Sequence, residues 1–567
     1  MIHIKRAAAL VSAAAVGLSL LSGCGSSASG KVETPDWSGY DSGVRSVYSS
    51  TDYESREAQL HSLEDQLMAS GCVVPIFYYT HAYMCHTGVS GIYTSKSGMT
   101  YFTKAAKSGA AALNIYLAPE PDTLDPALNV TTDGGTLAVN TFIGLFAIGG
   151  NGNPYPALVG AAAVSDDGLT YTFELKKSLW SNGEDLTAKD FVYSWNRAAA
   201  EKTGAGYSYL FSVFAKKDDG TLDVTADENT LICKLNAPCA YFYSLLAFPT
   251  FLPVYEAGVE AADSDGTNPG AWALEPGFVC NGPYMLTGWN HGESMTYAKN
   301  PNYYDAGKVK MATLNFMLSD DSAAPYAAYS AGNLDYIDQI PTDVIGSLMS
   351  SGNKELTASP ELGTYYLTFN SKSDMFAGMT WDQACEVRQA ISMLIDRRYI
   401  CDNIDQTGAH AANTLIPPGM SDGHGGEFRV SDAAYTYSDD ADTGYFDPLA
   451  VNKDPDGTAD KARELLKDAG FSFGSDGKLS SDTPLSFTFM ITPDTKQQII
   501  AEAIQQDLSA LGIEITIDKQ DWSVFIDTRS SGDFDLARDG WTADYDDPIN
   551  MLEIWTSDSA NDIAHLG

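Results

Sequence analysis

The fifteen residues from Phe534 to Pro548, FDLARDGWTADYDDP, hold the chain's best material for chemistry. Phe534 and Leu536 alternate with Asp535 and Ala537 as in a strand, which then runs into a bulky corner, part apolar and part charged. Asp544 stands there among Trp541, Ala543 and Tyr545. A carboxylate drawn into such surroundings needs a cationic partner, because an unpaired buried charge costs several kcal/mol. A ligand with an ammonium, apolar bulk and a second charge suits this corner, and a peptide is such a ligand. The same residues also read as a surface loop with a helix N-cap at Asp546 or Asp547.

Other motifs carry less. Gly25 to Lys31 spells most of a phosphate-binding loop, but Val32 follows where Ser or Thr would hold magnesium, and no strand precedes it. Asn452, Asp454, Asp456, Gly457 and Asp460 have the spacing of a calcium loop, yet Arg463 stands where a bidentate Glu belongs. A turn followed by a helix capped by Asp460 is the simpler reading, and no metal or other cofactor is expected. No G-x-S-x-G or H-E-x-x-H motif occurs and the eight His are scattered, which argues against an enzyme.

The elements that must position such a site belong to a large chain. Its 567 residues exceed one hydrophobic core and predict two or three domains. A hydrophobic fraction of 44% with 31 Tyr and 9 Trp indicates a folded protein. The net charge of -40 argues against nucleic acid as a partner and suits a solvated protein outside the cell, expected as a monomer. Residues 1–24 read as an export signal: Lys5 and Arg6, an apolar Ala7 to Leu20, then Leu21-Ser22-Gly23-Cys24, similar to a lipobox, so Cys24 is the expected lipidation site. Residues 25–38 read as a flexible tether. Of the eight cysteines, removing Cys24 leaves an odd seven, with a single Cys233–Cys239 bridge open. Helices are predicted over 54–68, 187–199, 382–396, 460–469 and 496–510, and strands over 73–79, 113–117, 171–175 and 231–235. Interleaving of this kind means a mixed α/β fold.

Longer motifs resemble a known family. Pro121-Asp122-Thr123-Leu124-Asp125-Pro126 is similar to its opening strand and turn, and Leu169 to Arg197, LTYTFELKKSLWSNGEDLTAKDFVYSWNR, to its signature stretch. Asn281-Gly282-Pro283-Tyr284, Asn300 to Tyr304, Ile395-Asp396-Arg397 and Ala462 to Leu466 follow the same pattern. The family is the family-5 solute-binding proteins, the oligopeptide- and dipeptide-binding lipoproteins of ATP-driven importers. The resemblance covers nearly everything after residue 113. The segment from Tyr40 to Gly91, including Val74-Pro75-Ile76-Phe77-Tyr78-Tyr79, resembles the family's C-terminal portion but stands at the front, which implies a circular permutation with the old ends joined by residues 105–112.

The resemblance implies a type II periplasmic-binding-protein fold with two hinged lobes and an additional domain. The expected division is 39–80 plus 371–567 for one lobe, 81–146 plus 269–370 for the other, and 147–268 for the additional domain. It implies an extended oligopeptide held by backbone pairing, its ammonium on Asp544, and Gly540 and Thr542 lending backbone groups. Thr542 replaces a Cys of some relatives and Gly363 its partner. Arg529, Arg538 and, more loosely, Lys496 match basic positions that meet the peptide carboxylate. Trp541 and Tyr545 flank the acid, Trp522 and Tyr365 match aromatic pocket walls, and a first-lobe strand at Thr131 and Thr132 adds backbone bonds. Local alternatives are a salt bridge from Arg538 to Asp539 or Asp535, and Trp522 as core. Partners implied are a membrane permease and the membrane itself through Cys24. Rival functions are capture of an oligosaccharide, nickel or haem in the same fold, or peptide sensing without transport.

Overall fold

The computed structural model describes residues 32–50, 52–118, 120–319, 323–423, 426–431, 445–559 and 561–567. Cys24 and the export signal lie outside the described residues.

Helices α1 (Ser38–Ser49) and α2 (Tyr53–Ala69) open the described chain. Asp52 caps α2 by accepting from the Ser55 N–H at 2.7 Å, and Leu60, Leu63 and Leu67, on one face of the helical repeat, are buried. Strands β1 (Val73–Cys85), β2 (Ala112–Ala118), β3 (Tyr284–Asn290), β4 (Ser294–Lys299), β5 (Thr313–Leu318), β6 (Tyr336–Ile337), β7 (Leu356–Phe369), β8 (Ser486–Ile491), β9 (Glu514–Lys519) and β10 (Leu536–Thr542) form one sheet in the order β3-β4-β5-β2-β6-β1-β7-β10-β8-β9. A two-residue strand at His410–Ala411 pairs with β1 as the eleventh member. Pairing is mixed: β2 is parallel to β5 and β6, β8 is parallel to β9 and β10, and β1, β7 and β10 run antiparallel.

The long strands β1 and β7 are the sheet's middle. Residues 73–78 of β1 pair with 364–368 of β7, and residues 80–84 with 356–360, with register irregularities around Pro75 and between Tyr78 and Thr80. Pro75 gives no ladder donor, so a break beside it is expected. The run VVPIFY is buried throughout because neighbours cover both faces. A separate four-stranded sheet (residues 159–164, 170–175, 224–227 and 230–234) lies under the helix Ala188–Ala199, which opens on a Thr187/Asp190 capping box.

Buried ion pairs tie distant segments together. Asp125 meets Arg197, and the Trp272 indole N–H donates to the same carboxylate at 2.8 Å. Glu64 meets Arg429, and Arg56 meets Asp547 at 2.8 Å. In each case removal of one member would strand a buried charge.

Three expectations are corrected. The last helix of the middle region is Pro455–Asp468, capped by Asp454 accepting from the Gly457 N–H at 3.0 Å; Asp460 sits inside it and pairs with Arg463. Pro455 at the first helical position sets that earlier start. Cys233 and Cys239 are both free thiols, as are the other five described cysteines. The segment 25–38 is not tether to its end: Val32 and Trp37 are buried, and the Trp37 indole donates to the Trp555 carbonyl at 2.8 Å.

Candidate ligand-binding site

Strand β10 carries the site. On one side it pairs with β7 along its whole length, Gly363 opposite Thr542 and Tyr365 opposite Gly540. On the other it meets β8 only at Leu536 and Ala537. From Arg538 to Thr542 its second edge has no strand beside it among the described residues. Gly540 is required there: a Cβ would lie 2.1 Å from the Tyr79 hydroxyl, which crosses over β10 from β1.

After β10 the chain turns, and Pro548 leads into a one-turn helix, Ile549–Leu552, in which the Ile549 N–H donates to the Asp547 carboxylate at 3.0 Å. The turn is organised by Asn550. Its amide oxygen accepts from the Asp544 N–H at 2.9 Å and from the Trp541 indole N–H at 3.0 Å, while its NH2 donates to Glu553 at 3.0 Å. Tyr545 also donates to Glu553, at 2.7 Å, and Tyr48 of α1 reaches the other oxygen. Burial pushes the Glu553 carboxyl up to about 8.

Asp544 itself is partly buried and has two side-chain partners, both neutral. The Tyr209 hydroxyl donates to it at 2.5 Å and the Asn550 NH2 at 3.4 Å. No described cation pairs with it. Burial raises its pKa to about 6, against the lowering by the Tyr209 and Asn550 hydrogen bonds. Around it lies a recess lined by Ser97, Met99, Tyr101, Ile148, Phe248 and Leu362. Lys96, which also lines it, meets Asp546 at 3.0 Å, and Tyr241 stacks on Tyr545 with centroids 4.2 Å apart. Residues from five remote parts of the chain thus surround the turn that carries this carboxylate.

The basic candidates, one on β10 and two on helices, are in different states. Arg529, on the helix Trp522–Ser531, pairs with Asp539 at 2.7 Å. Lys496 pairs with buried Asp405. Arg538 has no carboxylate partner among the described residues; its guanidinium lies 5.4 Å from the Trp522 ring centroid and 5.2 Å from that of Phe525, with one long contact to Thr492 at 3.4 Å. The alternatives that paired Arg538 with Asp539 or Asp535 are therefore corrected: Asp539 belongs to Arg529, and Asp535 accepts from Ser373 and the Thr488 N–H.

The aromatic candidates divide. Trp522 is 59% exposed, so it is not core. Tyr365 is buried, stacked on Phe77 at 4.8 Å, and donates to Gln497 at 2.5 Å. Thr132 is the first residue of the helix Thr132–Thr141, capped by Thr131, and not part of a strand; its methyl lies beside Gly98, in the turn that lines the Asp544 recess. Tyr209, Lys96 and Asn550 were not anticipated. Nothing in the sequence marks the first two, but Asn550, six residues after Asp544 and just past Pro548, is placed to cap the turn.

Comparison with known proteins bears on the family and the fold. The family model for bacterial extracellular solute-binding proteins, family 5 (middle region), matches residues 153–562. The oligopeptide-binding protein OppA of Bacillus subtilis (strain 168) is 31% identical over 472 residues, covering 80% of this chain and 78% of the relative. Among solved structures, the Escherichia coli murein tripeptide binding protein MppA superposes with a TM-score of 0.64 at 27% identity, covering 81% of this chain and 84% of that one. Haemophilus influenzae OppA in complex with RPPGFSPFR gives a TM-score of 0.62 at 25% identity, covering 81% and 85%. These relatives are binding proteins, not enzymes, and they share with this chain the type II periplasmic-binding-protein architecture. The chain belongs to family 5 of the bacterial extracellular solute-binding proteins.

Proposed function

We propose that the protein captures oligopeptides with free amino ends and hands them to the membrane permease of an ATP-driven importer, from a lipid anchor at Cys24. The observation that carries this reading is Asp544: a carboxylate held in a lined recess by Tyr209 and Asn550, with no cation paired to it among the described residues. A ligand ammonium supplies the missing charge. The unflanked edge of β10 from Arg538 to Thr542 lets an extended peptide pair by strand addition. The peptide-bound relative from Haemophilus influenzae supports the same class of ligand.

Two lobes, 39–80 plus 371–567 and 81–146 plus 269–370, close over the peptide with 147–268 as an added domain. β1 and β7 are the hinge, since their register breaks fall near the proposed boundary and they alone run the length of the sheet's middle. Tyr209 belongs to the added domain and Asp544 to the lobe opposite. Residues 40–91 are the family's C-terminal portion carried to the front, which is supported by β1 lying in mid-sheet between β6 and β7 and by α1 packing on Leu552 and Ser557.

Native mass spectrometry of the protein purified from its own membranes tests the reading. Expected are co-purified peptides, a lipid-modified Cys24 and, after digestion, a fragment spanning residues 105–112. A bound glycan, metal or haem in place of peptides would contradict it.

A further inference from the structure

A second acid faces the asparagine that organises the Asp544 turn. Asn550 and Glu553 stand at i and i+3 on the consecutive helical turns Ile549–Leu552 and Glu553–Trp555, which puts them on one face. The Asn550 amide oxygen is taken by two donors, the Asp544 N–H and the Trp541 indole, so its NH2 points the other way. There it has two acceptors at unequal distances, Glu553 at 3.0 Å and the Asp544 carboxylate at 3.4 Å. The shorter bond holds the amide, and Asp544 receives only a long one. Glu553 is in turn fixed by Tyr545, at 2.7 Å on the oxygen that Asn550 uses, and by Tyr48 of α1 on the other oxygen. The same front segment clamps the backbone on either side: Tyr40 donates to the Leu552 carbonyl and the Trp37 indole to the Trp555 carbonyl, each at 2.8 Å. These partners of the Glu553 carboxyl are neutral and burial pushes it up to about 8, so an uncharged amide is a close substitute for it.

We infer that Glu553 is a positioning residue for the ligand ammonium: it holds the Asn550 NH2 back from Asp544 and leaves that carboxylate open to the ligand. This deepens the amino-end reading and rests on it. Without an acceptor at position 553 the NH2 has only the Asp544 carboxylate to bond, and closing the 3.4 Å gap would occupy an oxygen that the ammonium needs. A ligand amine would then have to displace a neutral donor before it could pair. Glu553 acts through Asn550 and not by touching the ligand.

The test is the ratio of affinities for one mixed-sequence peptide library with free and with acetylated amino ends, measured by titration calorimetry on the full chain. Wild type is expected to favour the free form by about a hundredfold. Glu553→Leu and Glu553→Ala remove the acceptor with and without replacing its bulk. Each should lower the ratio by about fivefold or more, the size of one hydrogen bond, while binding the acetylated form within about twofold of wild type. That retained affinity reports a folded chain. Glu553→Gln keeps an acceptor oxygen and should hold the ratio within about twofold of wild type. Tyr40→Phe loosens the same segment without touching the Glu553 side chain and should leave the ratio unchanged. The inference is overturned if Glu553→Leu or Glu553→Ala binds the acetylated form yet keeps the wild-type ratio, or if both lose the acetylated form. It is overturned equally if Glu553→Gln loses the ratio as they do, or if Tyr40→Phe lowers it as far. A wild type that binds both forms equally, or neither, would instead sink the ammonium reading itself.

Discussion

Asp544 has a titration that ligand binding must work against. Its pKa is raised to about 6 by burial, so the folded protein holds a proton there that the unfolded chain, near 3.8, has released. Between those values the group's contribution to stability falls as pH rises. An ammonium ligand needs the ionised form, and a peptide amine with a pKa of about 8 stays charged throughout this range. Affinity should therefore drop by about tenfold from pH 7 to pH 5, measured by calorimetry, and Asp544→Asn should make the profile flat. A wild-type affinity independent of pH would count against ammonium capture at this residue. That Asp544 is drawn out of water was legible in the sequence from its neighbours Trp541, Ala543 and Tyr545. The pairing of the arginines was not. Arg538 and Asp539 are adjacent, which suggests a salt bridge, but successive side chains of a strand point to opposite faces. Asp539 meets Arg529, which comes from the preceding helix.

Elements follow the same division between local and remote causes. The helices Trp381–Leu394 and Thr495–Ser509 begin and end within two residues of their expected bounds, because Thr380 and Asp494 are capping residues next to apolar periodicity. β1 outruns its expected end at Tyr79 by six residues, to Cys85, since Thr80 to Met84 gain a partner in β7 that no local pattern announces. Thr132 was expected in a strand, yet the Thr131 side chain accepts from the Gly134 N–H at 3.2 Å and starts a helix. The reach of the Tyr79 side chain from β1 to Gly540 of β10, two strands away, gives an element-scale prediction. Gly540→Ala would drive a methyl into the Tyr79 hydroxyl and should cost about 1–3 kcal/mol, read as a lowered midpoint in urea. Adding Tyr79→Phe should return part of that loss, because it removes the atom that clashes. An unchanged midpoint for Gly540→Ala would mean that the Tyr79 ring moves aside at no cost and that the glycine is not needed.

At the scale of the whole molecule, the site exists only because distant parts of the chain meet. Tyr209 and Asp544 are 335 residues apart, and Tyr40 donates to the Leu552 carbonyl from 512 residues away. No periodicity or spacing reports such contacts; the resemblance implied only that the segment from Tyr40 belongs beside the C-terminal region, and the Tyr209 contact came from the structure. Segments outside the family's pattern, such as Trp37 docking on Trp555, came from the structure alone. The central claim is that one acid, held between remote segments, receives a ligand's ammonium. Its most direct test is the affinity of a peptide library, with and without N-terminal acetylation, for wild type and for Asp544→Asn. Acetylation should weaken binding to wild type by about a hundredfold or more, since it leaves a buried carboxylate unpaired, and should change binding to Asp544→Asn by no more than about threefold. Equal affinity of wild type for the free and acetylated peptides would contradict the account.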